Sequence, residues 1–182
     1  MLGSPGQPGL TDGPFNQPTC AVRSAYSGER FVSDGYRQNR IHRFSNDGDI
    51  RLSWGRGDRN QFDWEVSGVG EPLTGPGEFN TPHSVTVGED DRVYVMDRSN
   101  HRIQTFDENG KYLSQWAVPH PNKAVIDAEG VLQVGTWEGV AIFTLDGEGM
   151  GKWGDGGHGL CIDSRGDMYT TGVGPVRKFA RV

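Results

Sequence analysis

The stretch Gly77 to Trp116, GEFNTPHSVTVGEDDRVYVMDRSNHRIQTFDENGKYLSQW, constrains this chain more than any other, because the rest of the sequence echoes it. HSVTV and RVYVM are β-branched runs parted by GEDD, RIQTF follows RSNH, and KYLSQW follows the turn dipeptide Asn109-Gly110. Short β-branched and aromatic runs between turn residues read as strands, and Asn-Gly is a strong hairpin signal. Four such strands in about 40 residues make one antiparallel sheet the size of a propeller blade. A lone blade cannot bury both faces, so the unit predicts neighbours.

The sequence supplies them. Phe15 to Trp54 gives FNQPTCAV, ERFVSDGY, NRIHRF and, after Asp47-Gly48, IRLSW. Asn122 to Trp153 gives NKAVID, VLQVGT, VAIFTLDG and GMGKW, and His158 to Val182 gives HGLCID, DMYTTG and VRKFARV. The equivalent first-strand positions are Thr19, His83, Asn122 and His158, with intervals of 64, 39 and 36 residues. The long first interval marks an insertion. The expected organisation is blades at 16–55, 79–117, 120–154 and 156–182, an insertion at 56–78, and at 1–15 a remnant of a preceding blade with a Gly/Pro-rich connector. Met1-Leu2-Gly3 stands where Trp54-Gly55 and Trp153-Gly154 end their blades, so the chain reads as lacking its first blade. The predicted fold is all-β, a propeller of about four blades, forming either a small ring or an open arc of a six-bladed design.

Composition agrees. Twenty-eight glycines and ten prolines in 182 residues describe a turn-rich chain. The net charge of −6 argues against a broad phosphate-binding surface, so nucleic acid is an unfavoured partner. Apolar runs such as VAIF at 140–143 are far too short to span a bilayer as helices. No signal peptide is visible, and a start inside a blade leaves the compartment unassigned. Cys20 and Cys161 sit at different offsets in their repeats and read as buried thiols, not as a disulfide.

Phe31-Val-Ser-Asp34-Gly-Tyr36-Arg-Gln-Asn39-Arg40-Ile41 and Tyr94-Val-Met-Asp97-Arg98-Ser-Asn100-His101-Arg102-Ile103 are partner motifs. In each an Asp ends the second strand and an Asn-Arg or Asn-x-Arg-Ile opens the third. Asp34 and Asp97 are expected to accept turn hydrogen bonds, and Arg40 and Arg102 to pair with carboxylates between blades. Tyr36 and Arg98 sit at strand-to-strand turns on the rim, where a propeller builds sites.

These residues resemble NHL repeats, and four repeats cover nearly everything from residue 15 onward. FVSDGY at 31–36, GEFNTPHS at 77–84 and DRSNHRIQ at 97–104 resemble segments of the six-bladed peptidylamidoglycolate lyases, the peptidyl-α-hydroxyglycine α-amidating lyases, and of their bacterial relatives. The resemblance implies His83 and His158 as zinc ligands, Tyr36 as the catalytic tyrosine and Arg98 as the arginine that stabilises charge on the substrate. Departures accompany it. The family's first ligand histidine and second catalytic arginine belong to a blade absent here, Gly156 replaces a methionine at the site, and Gly159 stands where an aspartate would bind calcium, which puts calcium in doubt. The implied reaction is zinc-dependent cleavage of a peptidyl-α-hydroxyglycine to peptide amide and glyoxylate, impaired by the missing blade.

Independently of the resemblance, the first strand of every blade lines the central channel, so equivalent positions converge on the axis. His83 and His158 share that register, and two neutral imidazoles at one point suit zinc. Thr19 and Asn122 hold the other register positions and are poor zinc ligands; His120, between Pro119 and Pro121, is the spare donor nearest the axis. His42 and His101 read as surface residues. The alternative function is a non-catalytic NHL propeller binding a peptide or protein, less readily RNA, with Phe62, Trp64 and Trp137 as stacking anchors. Unpaired edges of an open arc would favour self-association.

Overall fold

A computed structural model describes residues 15–55, 74–172 and 174–181. Of the expected remnant at 1–15 all but Phe15, and of the insertion at 56–78 the part 56–73 with Phe62 and Trp64, lie outside the described residues.

Among the described residues, fifteen strands form four antiparallel sheets, each in sequence order. The first holds β1 (Cys20–Arg23), β2 (Arg30–Asp34), β3 (Arg40–Phe44) and β4 (Ile50–Trp54). The second holds β5 (Pro82–Val87), β6 (Val93–Asp97), β7 (Arg102–Phe106) and β8 (Tyr112–Ala117). In the third are β9 (Lys123–Ile126), β10 (Leu132–Gly135), β11 (Val140–Phe143) and β12 (Gly149–Trp153). The fourth has three, β13 (Gly159–Ile162), β14 (Met168–Thr171) and β15 (Arg177–Phe179). The fold is an all-β propeller arrangement of four blades. A register shift recurs at one place in three blades, at Arg43/Phe44, Thr105/Phe106 and Ile142/Phe143, and such bulges add twist to the outer edge.

Period-2 alternation explains how the blades stack. On β6, Val93 and Val95 enter one core with Phe31, Ile41, Phe79, Val85 and Phe106, while Tyr94 and Met96 enter a second with Ile103, Ala124, Leu132 and Val134. The second blade is thus buried on both faces, and each such side chain contributes about 1.5–3 kcal/mol by leaving water. The three tryptophans at one repeat position lock adjacent blades. Trp54 meets Phe106, Trp116 meets Phe143 and Trp153 meets Phe179, at centroid distances of 5.9, 6.2 and 4.7 Å. The next blade's hairpin glycine roofs the indole: a Cβ on Gly147 (φ +92°) would lie 2.6 Å from Trp116, and one on Gly110 (φ +76°) 3.1 Å from Trp54. That explains why Asn109-Gly110 and Asp146-Gly147 need glycine for space as well as for turn geometry.

Inner strands pack in series, β1 on β5, β5 on β9 and β9 on β13, and among the described residues no comparable packing joins β13 to β1. Of the two expected shapes, the described residues form the open arc.

Three expectations fail. His42 is buried, not at the surface: its face of β3 is covered by Phe15, with ring centroids 5.9 Å apart, its Nδ1 hydrogen-bonds Ser53 at 2.7 Å, and Nε2 lies 3.5 Å from Asp34. Arg102 pairs within its own blade, donating from Nε to Asp97 at 2.8 Å and otherwise to the Gly75 and Glu78 carbonyls and Gln115. Both cysteines are free, as expected, but Cys161 is exposed because its odd parity on β13 points it away from the core that Leu160 enters. Asp34 and Asp97 accept the Asn16 and Asn80 backbone amides at 2.7 Å each, from the segments that lead into their blades and not from their own turns; within its turn Asp97 also accepts from the Asn100 side chain at 2.9 Å.

Candidate functional site

One face of the arc carries the β2–β3 turn, the 3-10 turn Arg98–Asn100, the β10–β11 turn and the connections between blades. Inner strands open onto it. The first-strand register holds in hydrogen bonds: the backbone amides of Thr19, Asn122 and His158 donate to Ser33, Gly135 and Thr171, residues at matching positions on the neighbouring strand.

Two histidines far apart in sequence meet there. The His83 and His158 rings lie 4.9 Å apart, edge to face at 77°. Tyr36 reaches the same point from the β2–β3 turn, its hydroxyl 3.2 Å from His83 Nε2. His83 is buried, whereas His158 and Tyr36 are exposed, so the cluster is open on one side.

Hydrogen bonding fixes the roles at His83. Its Nδ1 is 3.0 Å from the Asn122 carbonyl oxygen, which only accepts, so Nδ1 carries the proton and Nε2 presents a lone pair to the Tyr36 hydroxyl. Burial lowers the His83 pKa; the Asn122 bond opposes this, and the charges of Arg98, His158 and Lys123 add to the lowering. The imidazole is therefore held neutral. Arg98 acts on His83 through its charge from the 3-10 turn, and its Nε is buried without a hydrogen-bond partner among the described residues. The Asn122 side chain, wholly buried at the third register position, likewise leaves both amide atoms unpartnered. Leaving such groups unsatisfied costs about 1–3 kcal/mol each, a cost a polar ligand would remove.

Backbone contacts seat the histidines. A Cβ on Gly35 would lie 2.3 Å from the Pro82 carbonyl, next to His83, and one on Gly135 2.1 Å from the Gly157 carbonyl, next to His158. Thr19 Oγ1 also donates to the Pro82 carbonyl at 2.8 Å. Gly35 follows β2 and Gly135 ends β10, so the two stand at different repeat positions, and neither carries a chemical signature in the sequence that marks it as functional.

Zinc chemistry needs at least three protein donors. His83 Nε2 and the His158 ring supply two, and the His83 Nδ1–H bond to the Asn122 carbonyl orients the ring in the way usual for a metal-binding imidazole. Among the described residues no third His, Cys, Asp or Glu joins them, His120 included, and Asn122 offers only a carboxamide. The donor set is one short. His120 instead stacks on Trp137, at 4.3 Å and 4°, with His101 edge-on behind it at 4.0 Å. A cavity of 660 Å³ beside this stack is lined by Thr136, Trp137, His158, Thr171 and Pro175, with Asp155 and Arg177 at its rim.

The fold is that of a β-propeller, and the NHL repeat model matches residues 79–106, the end of one connection through β7. Among its relatives are amidating enzymes and an NHL repeat-containing protein. The chain is 36% identical over 117 residues to peptidyl-glycine alpha-amidating monooxygenase B of Xenopus laevis, covering 63% of this chain and 12% of that protein. It is 34% identical over 124 residues to peptidyl-alpha-hydroxyglycine alpha-amidating lyase 1 of Drosophila melanogaster, covering 63% and 22%. With NHL repeat-containing protein 3 of Mus musculus it shares 35% identity over 121 residues, covering 64% and 30%. The chain thus spans less than a third of these relatives' lengths. The structure of virginiamycin B lyase from Staphylococcus aureus superposes with a TM-score of 0.63 over 92% of this chain and 57% of that one, at 15% identity, a likeness of fold alone.

Proposed function

We propose that this chain carries a lyase centre for peptidyl-α-hydroxyglycines, built from Tyr36, His83, Arg98 and His158. The observation that carries the reading is the Tyr36 hydroxyl donating to the lone pair of a neutral, buried His83 that also faces His158. Relationship to named hydroxyglycine lyases supports it.

The chemistry follows from the residues. Tyr36 takes the proton of the substrate's carbinol hydroxyl while its own proton passes to His83 Nε2. The oxygen electrons form the aldehyde C=O, the C–N bond breaks with its pair going to nitrogen, and nitrogen recovers the proton. The products are a peptide amide and glyoxylate. The Arg98 guanidinium faces the substrate carboxylate and the developing charge, in a setting where fixed positive charge is worth most. Asn122 offers its free amide to the substrate's polar groups. Zinc at His83 and His158 would supply Lewis-acid polarisation, but it would take the same His83 Nε2 lone pair that receives the Tyr36 proton and would find only two donors, so no step runs through it. Calcium has no support at Gly159.

The test is glyoxylate release from a synthetic peptidyl-α-hydroxyglycine, with and without added zinc. Wild type should release it, and Tyr36→Phe should lower the rate by about 10²-fold or more. Equal rates for the two proteins would end the reading.

A second reading, a peptide- or protein-binding propeller without catalysis, is favoured by the two-histidine donor set among the described residues and by the likeness to NHL repeat-containing protein 3. Peptide binding with no glyoxylate at any zinc concentration would select it. Self-association through the free edges of the arc is a further proposal, checked by light scattering.

A further inference from the structure

Beside the proposed catalytic cluster stands a side-chain stack that the reaction does not use. Trp137, in the β10–β11 turn, is 60% exposed, unusual for an indole with no packing duty between blades. It is nevertheless held in place. One face lies flat on His120, and His120 is braced edge-on by His101, whose Nδ1 accepts the His120 backbone N–H at 3.3 Å. Pro119 and Pro121 flank His120 and stiffen its loop, and His101 is fixed in a left-handed conformation that ends the 3-10 turn of Arg98. Three elements from two blades thus hold one exposed aromatic ring.

Trp137 lines the 660 Å³ cavity that also reaches His158, a volume suited to a small ligand. Thr170, Thr171 and Pro175 also line it, and Gly156 and Gly157 leave space there because they carry no side chain. The two charges at the rim, Arg177 and Asp155, are paired with one another and leave no net charge to attract an ionic side chain. Arg98 opens the 3-10 turn that His101 ends, and its charge lowers the pKa of both His83 and His120. A ligand anchored by its carboxylate at Arg98 with reacting atoms at His83 and His158 would lay its next side chain into this cavity.

We propose that Trp137, backed by His120 and His101, is the shelf that selects an aromatic side chain in the residue preceding the C-terminal hydroxyglycine. The inference rests on the lyase reading for the identity of that terminal residue. The ring would stack offset on the indole, and such pairs are worth a roughly 2- to 10-fold gain in affinity beyond simple burial.

Isothermal titration of the whole chain with two uncleavable probes, N-acetylphenylalanylglycine and N-acetylalanylglycine, tests the shelf. Wild type should bind the first about tenfold more tightly. Trp137→Ala should erase that preference while leaving the affinity for the alanyl probe unchanged, and Trp137→Phe should keep most of it; unchanged thermal midpoints confirm folding of both variants. Equal affinities in wild type, a preference that survives Trp137→Ala, or binding of neither probe would overturn the proposal. A Trp137-dependent preference without glyoxylate release from the hydroxyglycine analogue would sustain the shelf and sink the lyase reading. Glyoxylate release without the preference would do the reverse.

Discussion

Replacing Gly135 by alanine should move His158 away from His83 without touching either ring. Gly135 ends β10 and its φ lies outside the left-handed region, so the backbone accepts alanine and only space is at issue. The added Cβ would sit 2.1 Å from the Gly157 carbonyl oxygen, and contacts under 3.0 Å essentially never occur. The neighbour is backbone, with no rotamer to yield, so Gly157 must retreat by at least about 0.9 Å, carrying His158 with it. Overpacking of this kind costs about 1–3 kcal/mol, and misplacement by 1 Å near reacting groups costs about 10²-fold in rate. The assay is two-dimensional NMR on protein with labelled histidine rings, with thermal unfolding alongside. Wild type, with ring centroids 4.9 Å apart, should give a cross-peak between His83 and His158 ring protons. Gly149→Ala is the control, since its Cβ would meet Phe143 at an ordinary 3.9 Å, and it should leave cross-peak and midpoint unchanged. A Gly135→Ala protein with an undiminished cross-peak and an unchanged midpoint would refute the view that close glycine contacts seat the histidines.

Three further outcomes are expected. Asp97→Ala should destabilise the fold by about 3–5 kcal/mol in denaturant titration, because it strands the buried Arg102 guanidinium that Asp97 holds at 2.8 Å; a loss below 1 kcal/mol would count against a structural role for that pair. Tyr94 is wholly buried, and burial pushes its phenol up to about 12, opposed by Arg92. Its folded pKa lies above the unfolded value near 10, so its contribution is complete below pH 10 and is lost as pH rises toward 12, at about 1.4 kcal/mol per pH unit; Tyr94→Phe should flatten the alkaline limb of the stability curve. His83 has the opposite displacement: its lowered pKa makes its contribution complete above pH 6.5 and lost as pH falls through the folded value, so a variant such as His83→Asn should show a weaker fall in midpoint between pH 7 and 5.

Strand order was readable because alternation of period 2 and the Asp-Gly and Asn-Gly turns are local signals. The meeting of His83 with His158 was readable from register, since homologous inner-strand positions share an axis whatever their distance in sequence. Tyr36 was reachable only through its motif; no local pattern says that a turn tyrosine in one blade will touch a histidine in the next. His42 misled because parity on β3 tells which face a side chain takes, but the cover over that face, Phe15, comes from an irregular segment without periodicity. The same holds for the Trp137, His120 and His101 stack, which joins three turns from two blades. Arg102 turned inward to Asp97 and to loop carbonyls because a buried guanidinium needs several acceptors, and its own blade offers them.

The most direct measurement is a double-mutant cycle on glyoxylate release with Tyr36→Phe, His83→Asn and the pair together. Because one proton passes between these two groups, the double variant should be no slower than the slower single variant. Losses that multiply independently, or a wild-type protein that releases no glyoxylate, would contradict the proposed centre.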